Sequence, residues 1–277
     1  MKPIDRVFSQ AAKLPHLPEV VVELERLTRD EDAGSRDIAN AVTKDPAVAA
    51  KVLRLANSSL YFRAGQIGSI EEAIRIVGVS DFRTMVLSSC IVSAFPLVPH
   101  LNLKAHWEHA VATGAIAKAA CRPDRAIADA AFTAGLLHSV GVLLMHVTLP
   151  ALAADVEQRV RGMDFVSRVV AERETLGFDH AEVGAELLRR WKLPSTVCDA
   201  VERFPHVDEQ DELLPVAVHL GSRLAPVVGT TLEQVLASGA INQRLLEKLR
   251  LDQAWLEEDV PASLSNVDEL LSTLTEA

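Results

Sequence analysis

The 277-residue chain is short of aromatic residues, at 4% with a single tyrosine, and its 13 glycines are scattered singly. Strand-rich sandwiches and barrels favour aromatic and β-branched residues punctuated by frequent turns, so the composition argues against them and for helices. Cysteine is also scarce. Cys90, Cys121 and Cys198 lie far apart with no CxxC spacing, which excludes a disulfide framework and points to reduced thiols in a cytoplasmic protein. Positive charge is lacking: the net charge is −10, and from Val207 onward 13 acidic residues face 4 basic ones. Such a surface releases no counterions from a phosphate backbone, so neither nucleic acid nor anionic membrane is expected as a partner of that half. The first sixty residues are balanced, nine basic against nine acidic, and weigh less in that argument. The N-terminus MKPIDRVFSQAAKLPHLPEV has no apolar run of the signal-peptide kind. The most apolar stretch, Val140 to Ala154, contains His146 and Pro150 and falls short of the ~20 residues that span a bilayer. The phosphate-loop, dinucleotide-binding and G-x-S-x-G motifs are all missing.

What is there is ample apolar material, 49% of residues, arranged at helical spacing. The expected architecture is all-α, a multi-helix bundle with an N-terminal helical subdomain. Pro18 opens a run with Val21, Leu24 and Leu27 on one face. Ser35 is the expected N-cap of a short helix, and Asp45-Pro46 a stronger start signal, pairing a cap acceptor with proline at the first helical position. A helix is expected over residues 70–77, ending at Gly78, with Asp81 capping the next one to about Phe95. The segment PLVPHLNL is the best internal boundary. Beyond it, helices are expected over about 106–121, 129–147, 164–176, 179–191 and 196–204, with Asp179 and Glu182 at capping-box spacing. The tail from Thr230 shows two or three amphipathic helices. This gives an N-terminal subdomain over 1–100, a helical core over 101–225, and a C-terminal extension over 226–277 packed on the body.

Nine histidines are the chemical feature, and five of them lie at informative places in the helical second half: His106, His109, His138, His180 and His219. Helices of a bundle can bring such imidazoles together, and a hydrolytic metal site needs them with at least one carboxylate. Spacing alone does not show convergence. A lone histidine among apolar residues, as in GLLHSVG around His138, is more often a hydrogen-bonded core imidazole than a ligand. Trp107 and Trp191, set among aliphatics, read as core anchors. His16, His100 and His206 sit beside prolines in expected loops. The pair of helices over residues 35–57 could be mistaken for a helix-turn-helix, but its second helix carries only Lys51 and Arg54, too little for a DNA reader. Ser139 and His138, adjacent on a helix, point about 100° apart and cannot be nucleophile and base of one site.

Six blocks carry a resemblance in order: LPHLP, KDPAVAAKVLRLANSSLY, SIEEAIRIVGV, HWEHAVATGAIA, FTAGLLHSVGVLLM and FDHAEVGAELLRRWKLP. Together they resemble the HDOD domain, a helical relative of the HD and HD-GYP phosphohydrolases, over roughly residues 5 to 225. The resemblance implies that His109, His138, Ser139, His180 and Ser222 occupy the positions of the catalytic relatives' metal pocket. There, serine stands at 139 and 222 where those relatives carry aspartate. Two such differences remove about two negative charges from the pocket, and hard divalent cations prefer anionic oxygen. The expectation is therefore a vestigial pocket with no catalytic residue, no metal and no cofactor. The protein would be a bacterial signalling module that contacts a partner protein in trans and takes at most a small ligand. Two alternatives are a metal-dependent phosphohydrolase of nucleotides or cyclic dinucleotides, with acids such as Asp129 or Asp199 replacing the missing ones, and DNA binding through the N-terminal helix pair.

Overall fold

The structure, a computed structural model, describes residues 2–10, 14–16, 18–28, 34–58, 66–161, 165–208, 210–225 and 242–275. Every element among the described residues is helical, so the chain is all-α as expected. It divides into two compact units. One comprises Met1–Pro15 with Leu97–Leu264, the other His16–Pro96 with Ser265–Ala277.

Both units are discontinuous, where the sequence suggested contiguous segments over 1–100, 101–225 and 226–277. The reason lies at the chain ends. Helix α1 (Asp5–Phe8) packs with the later part of the chain, where Arg6 donates to the carbonyl of Leu176 at 2.9 Å and the Arg190 guanidinium lies 4.0 Å over the Phe8 ring. The last helix packs into the smaller unit instead. Of the C-terminal extension, 226–241 lies outside the described residues.

The smaller unit holds α2 (Glu19–Thr28), α3 (Ser35–Thr43), α4 (Pro46–Ala56), α5 (Ile70–Val77) and α6 (Val79–Ala94). Its starts are set by local hydrogen bonds. Asp45 accepts from the amides of Ala47 and Val48, each at 3.1 Å, which satisfies donors that α4 leaves open. Ser69 does the same for α5 through Glu72 at 3.1 Å. Two expected caps move. Gly34 rather than Ser35 precedes α3, with the Asp37 carboxylate accepting from the Gly34 amide. Helix α6 begins two residues ahead of Asp81, because Gly78, at φ 87°, both ends α5 and starts α6. Val48, Val52 and Leu55 form the buried stripe of α4.

The larger unit is built on α7 (Leu103–Ala120), with α8 (Arg125–Leu137), α9 (Val140–Thr148), α10 (Pro150–Val160), α11 (Phe165–Leu176), α12 (His180–Arg190), α13 (Ser195–Arg203), a 3₁₀ turn (Phe204–His206) and α14 (Leu213–Leu224). Helix α7 packs along both α8 and α14, and α12 along α9 and α13. Missing side chains allow these close approaches: a Cβ on Gly135 would stand 2.6 Å from the Gly114 Cα, and one on Gly221 would stand 2.5 Å from the Thr113 carbonyl oxygen. The capping box at α12 forms as its spacing foretold, with the Glu182 amide donating to Asp179 at 3.0 Å and the Asp179 amide to Glu182 at 3.2 Å. The chain then continues through α15 (Gln243–Lys248), a π-helical turn (Trp255–Asp259) and α16 (Val260–Leu264). Helix α17 (Val267–Thr275) returns to the smaller unit and packs on α4 and α6.

One difference bears on the site. A single helix over 129–147 was expected, but α8 stops at Leu137 and α9 starts at Val140, so His138 and Ser139 form the joint between two helices. The stretch Ile127–Thr148 is apolar and long enough to cross a bilayer, longer than the sequence reading allowed, yet 89% of its most apolar 18-residue window is buried inside the protein. Core packing accounts for its composition.

Candidate functional site

Helix α7 starts at the Asn102 cap, whose side chain accepts from the Ala105 amide at 3.1 Å. It projects His106 and His109, three residues apart and so on one face. The α8–α9 joint brings His138 against them: the His109 and His138 rings lie 5.3 Å apart, inclined at 56°. Phe204, in the 3₁₀ turn, packs edge-on to His138 at 5.2 Å and also meets His180 at 5.9 Å. Five residues from four separate stretches of sequence thus converge.

Their hydrogen bonds fix what they can do. His138 is 1% exposed, and its Nδ1–H donates to the Gly135 carbonyl at 2.6 Å, one turn back on α8. Ser139 stands at the start of α9 without capping it; its hydroxyl lies 3.3 Å from His106 Nε2. The Ser222 hydroxyl donates to the carbonyl of His219, on its own helix, at 2.8 Å. His180, the first residue of α12, is held by Glu172. That carboxylate, wholly buried, accepts from the His180 amide at 2.9 Å and from its Nδ1–H at 2.6 Å.

The imidazoles at the centre are kept neutral. Burial pushes His106 down to about 3 and His109 to about 4, with neighbouring cationic groups adding to the effect. Burial, reinforced by His109, holds His138 well below the ordinary imidazole range against the opposing pull of the Gly135 carbonyl. A charged ring here would lose its hydration with no carboxylate close enough to replace it.

The sequence singled out His109, His138, Ser139, His180 and Ser222. The structure brings His109 and His138 into ring contact and links both His138 and His180 to Phe204. Ser139 meets His106 rather than an ion-binding neighbour, and Ser222 turns to its own helix. Sequence reasoning left Phe204 out of the site, although the resemblance sets a histidine pair of the relatives near Phe204 and Pro205, and it missed Glu172. The first is an aromatic beside a proline; the second sits eight residues before His180, across the turn between α11 and α12, where no periodicity connects them. The acids considered as replacements are elsewhere: Asp129 pairs with Lys118 at 3.2 Å, and Asp199 with Arg189 at 3.2 Å on the surface.

A metal of the kind that the catalytic HD relatives bind does not fit this donor set. Among the described residues, no three His, Cys, Asp or Glu side chains are grouped to share an ion. Both buried carboxylates beside His180 are already committed: Glu172 accepts from the His180 amide and Nδ1–H, and Asp179 accepts from the Glu182 amide and from Arg173.

Fold and histidine cluster together define a helical, HD-related module. The HDOD domain family matches residues 14–206, more than half of the chain. The chain belongs to the HDOD family. Among solved structures, it is similar to one from Shewanella amazonensis SB2B, named provisionally as a phosphohydrolase, at 27% identity and a TM-score of 0.80, covering 97% of this chain and 98% of that one. A Geobacter sulfurreducens HDOD domain protein of unknown function shares the fold at 24% identity and a TM-score of 0.76, covering 96% and 97%. A curated, uncharacterised protein of Treponema pallidum (strain Nichols) is 26% identical over 206 residues, which cover 71% of this chain. The chain spans only 39% of that relative's length.

Proposed function

We propose that this chain is a bacterial signalling module that acts through contacts with a partner protein and carries out no metal-dependent hydrolysis. The observation that supports this reading is the commitment of the cluster's donors. Ser139 and Ser222 are neutral and internally bonded, and the central imidazoles are uncharged. Two-metal activation of water needs a carboxylate that bridges the ions, and Glu172 is spent on His180. What such a cluster can do is pack: neutral rings against Phe204 hold α7, the α8–α9 joint and the start of α12 together. A small neutral ligand is compatible with it. A cytoplasmic setting suits the three cysteines, which are free and buried, with burial pushing their thiols up to about 12, 12 and 11.

The test combines metal analysis of the purified protein with phosphodiester hydrolysis in added Mn²⁺ or Fe²⁺. The expected result is no stoichiometric metal and no turnover. Bound metal at one or more equivalents, with turnover that both His109→Gln and His138→Ala abolish, would overturn the reading. The second reading, a phosphohydrolase, is favoured by the name of the Shewanella amazonensis structure, and the same assay decides for or against it.

A further inference from the structure

His146, near the end of α9, is 1% exposed, and both of its ring nitrogens face acceptors. Nδ1 lies 2.8 Å from the carbonyl oxygen of Pro99, and Nε2 lies 3.5 Å from Oε1 of Glu157. A carbonyl and a carboxylate only accept, whereas a neutral imidazole carries a single N–H. Both contacts are attractive together only when the ring holds two protons. With one proton, a lone pair faces either the carbonyl or the carboxylate, and that tether turns repulsive.

The carboxylate is part of a row. Arg168 Nη2 lies 2.7 Å from Glu157 Oε1, and its Nη1 lies 3.5 Å from Glu172 Oε1. Glu172 in turn holds His180. The row therefore sets two carboxylates around one guanidinium, and an imidazolium supplies the missing positive charge. His180 meets Glu172 through one ring nitrogen, a contact that a single proton satisfies, whereas His146 faces two acceptors and needs both protons to hold them. The Glu157 carboxyl sits at about 2, lowered by His146 and Arg168 against its own burial, so it stays an anion throughout.

Other ionisable groups on the elements around α9 are occupied or turned away. On α1, Asp5 accepts from the Lys2 amide and Arg6 donates to the Leu176 carbonyl. On α10, Asp155 is exposed and Arg159 pairs with Glu174. On α12, Glu182 pairs with Arg173 and Glu186 with Arg190. His100, next to Pro99, is exposed. Glu157 and Arg168 are left to govern the ring.

We propose that His146 is a proton-operated latch. Protonated, it ties Pro99 to the row Glu157, Arg168, Glu172 and His180; deprotonated, it keeps only one of its two tethers. Pro99 lies just past the point where the chain enters the larger unit at Leu97, a residue that is 81% exposed. The latch thus controls how firmly residues 97–101 are held, and it does so whether or not the histidine cluster turns over a substrate.

The test uses the full chain with ¹³C-labelled histidine, His146 being assigned by the signal lost in His146→Gln. The ring signal is followed from about pH 5 to pH 8, the range in which imidazoles change charge, and is expected to report a change of protonation state. Glu157→Gln removes the anion and should lower the midpoint, and Arg168→Met removes the competing cation and should raise it, each by roughly one pH unit or more. Amide protection at Val98, His100 and Leu101 should fall roughly tenfold above the wild-type midpoint, the worth of about one hydrogen bond. A ring that keeps one protonation state across that range, a midpoint that neither variant moves, or protection independent of His146 titration would each overturn the proposal. Should His146→Gln not fold, the two part-buried positions 157 and 168 still carry the test.

Discussion

Gly141 and His180 meet backbone to backbone: a Cβ on the glycine would overlap the carbonyl oxygen of the histidine. This contact sets the spacing of α9 and α12 and hence the place of His180 beside Phe204. The atom in the way is backbone, which cannot rotate aside. Gly141→Ala is expected to destabilise the protein by about 3 kcal/mol or more, at the upper end of overpacking. Urea unfolding measures it, and an unchanged midpoint would mean that the two helices separate more easily than their packing suggests.

Glu172 holds the first turn of α12 from below. Removing it leaves the His180 amide and Nδ1–H without their acceptor and Arg168 with one carboxylate instead of two. Breaking a buried pair from one side costs roughly 3–5 kcal/mol, so Glu172→Ala should fall in that range. Glu172→Gln keeps one acceptor oxygen and should cost less. Equal losses in the two variants would argue that side-chain volume, not hydrogen bonding, is what matters there.

The neutral imidazoles give stability a definite pH dependence. In the unfolded chain His106 and His109 titrate near the ordinary 6.5, in the folded one near 3 and 4. Between those values the unfolded state binds more protons, so stability is full above about pH 6.5 and declines as pH falls toward 4. Each ring contributes a slope of up to about 1.4 kcal/mol per pH unit. His109→Gln should flatten the slope by up to one such contribution, as read from denaturation midpoints at several pH values.

Ser139→Asp returns a carboxylate to a site only 7% exposed, where the nearby rings are neutral. Without a divalent ion the variant should be less stable than the parent, by on the order of 2–4 kcal/mol for a poorly compensated buried charge. Mn²⁺ should restore part of the loss by mass action, and thermal melts with and without the ion would show it. A variant as stable as the parent and indifferent to Mn²⁺ would mean that the joint opens to water.

The sequence disclosed most where the physics is local. Asp45 with Pro46, and Asp179 with Glu182, announce helix starts because cap and amide are two or three residues apart, and both form. The ordered blocks carried the family as well. The α8–α9 joint was not legible: no proline or glycine stands at 138 or 139, and apolar residues run through on both sides. Glu172 was missed, and Phe204 left out of the site, for a related reason. Their partners are chosen by how α11, α12 and the 3₁₀ turn fold back on one another, which no spacing along the chain encodes. His146 was noted only as a polar interruption in an apolar run, since its acceptors come from residues 47 positions before it and 11 after it.

Gly114, Gly135, Gly141 and Gly221 frame the histidine cluster with positions where any side chain would meet neighbouring backbone. They take no part in chemistry, yet they are as closed to drift as catalytic residues are in an enzyme. Two kinds of constraint therefore overlap in one small region, and tolerance to mutation alone would not tell them apart. An engineer wishing to install a reaction here has to work through the polar positions, since the glycines have already used up the room.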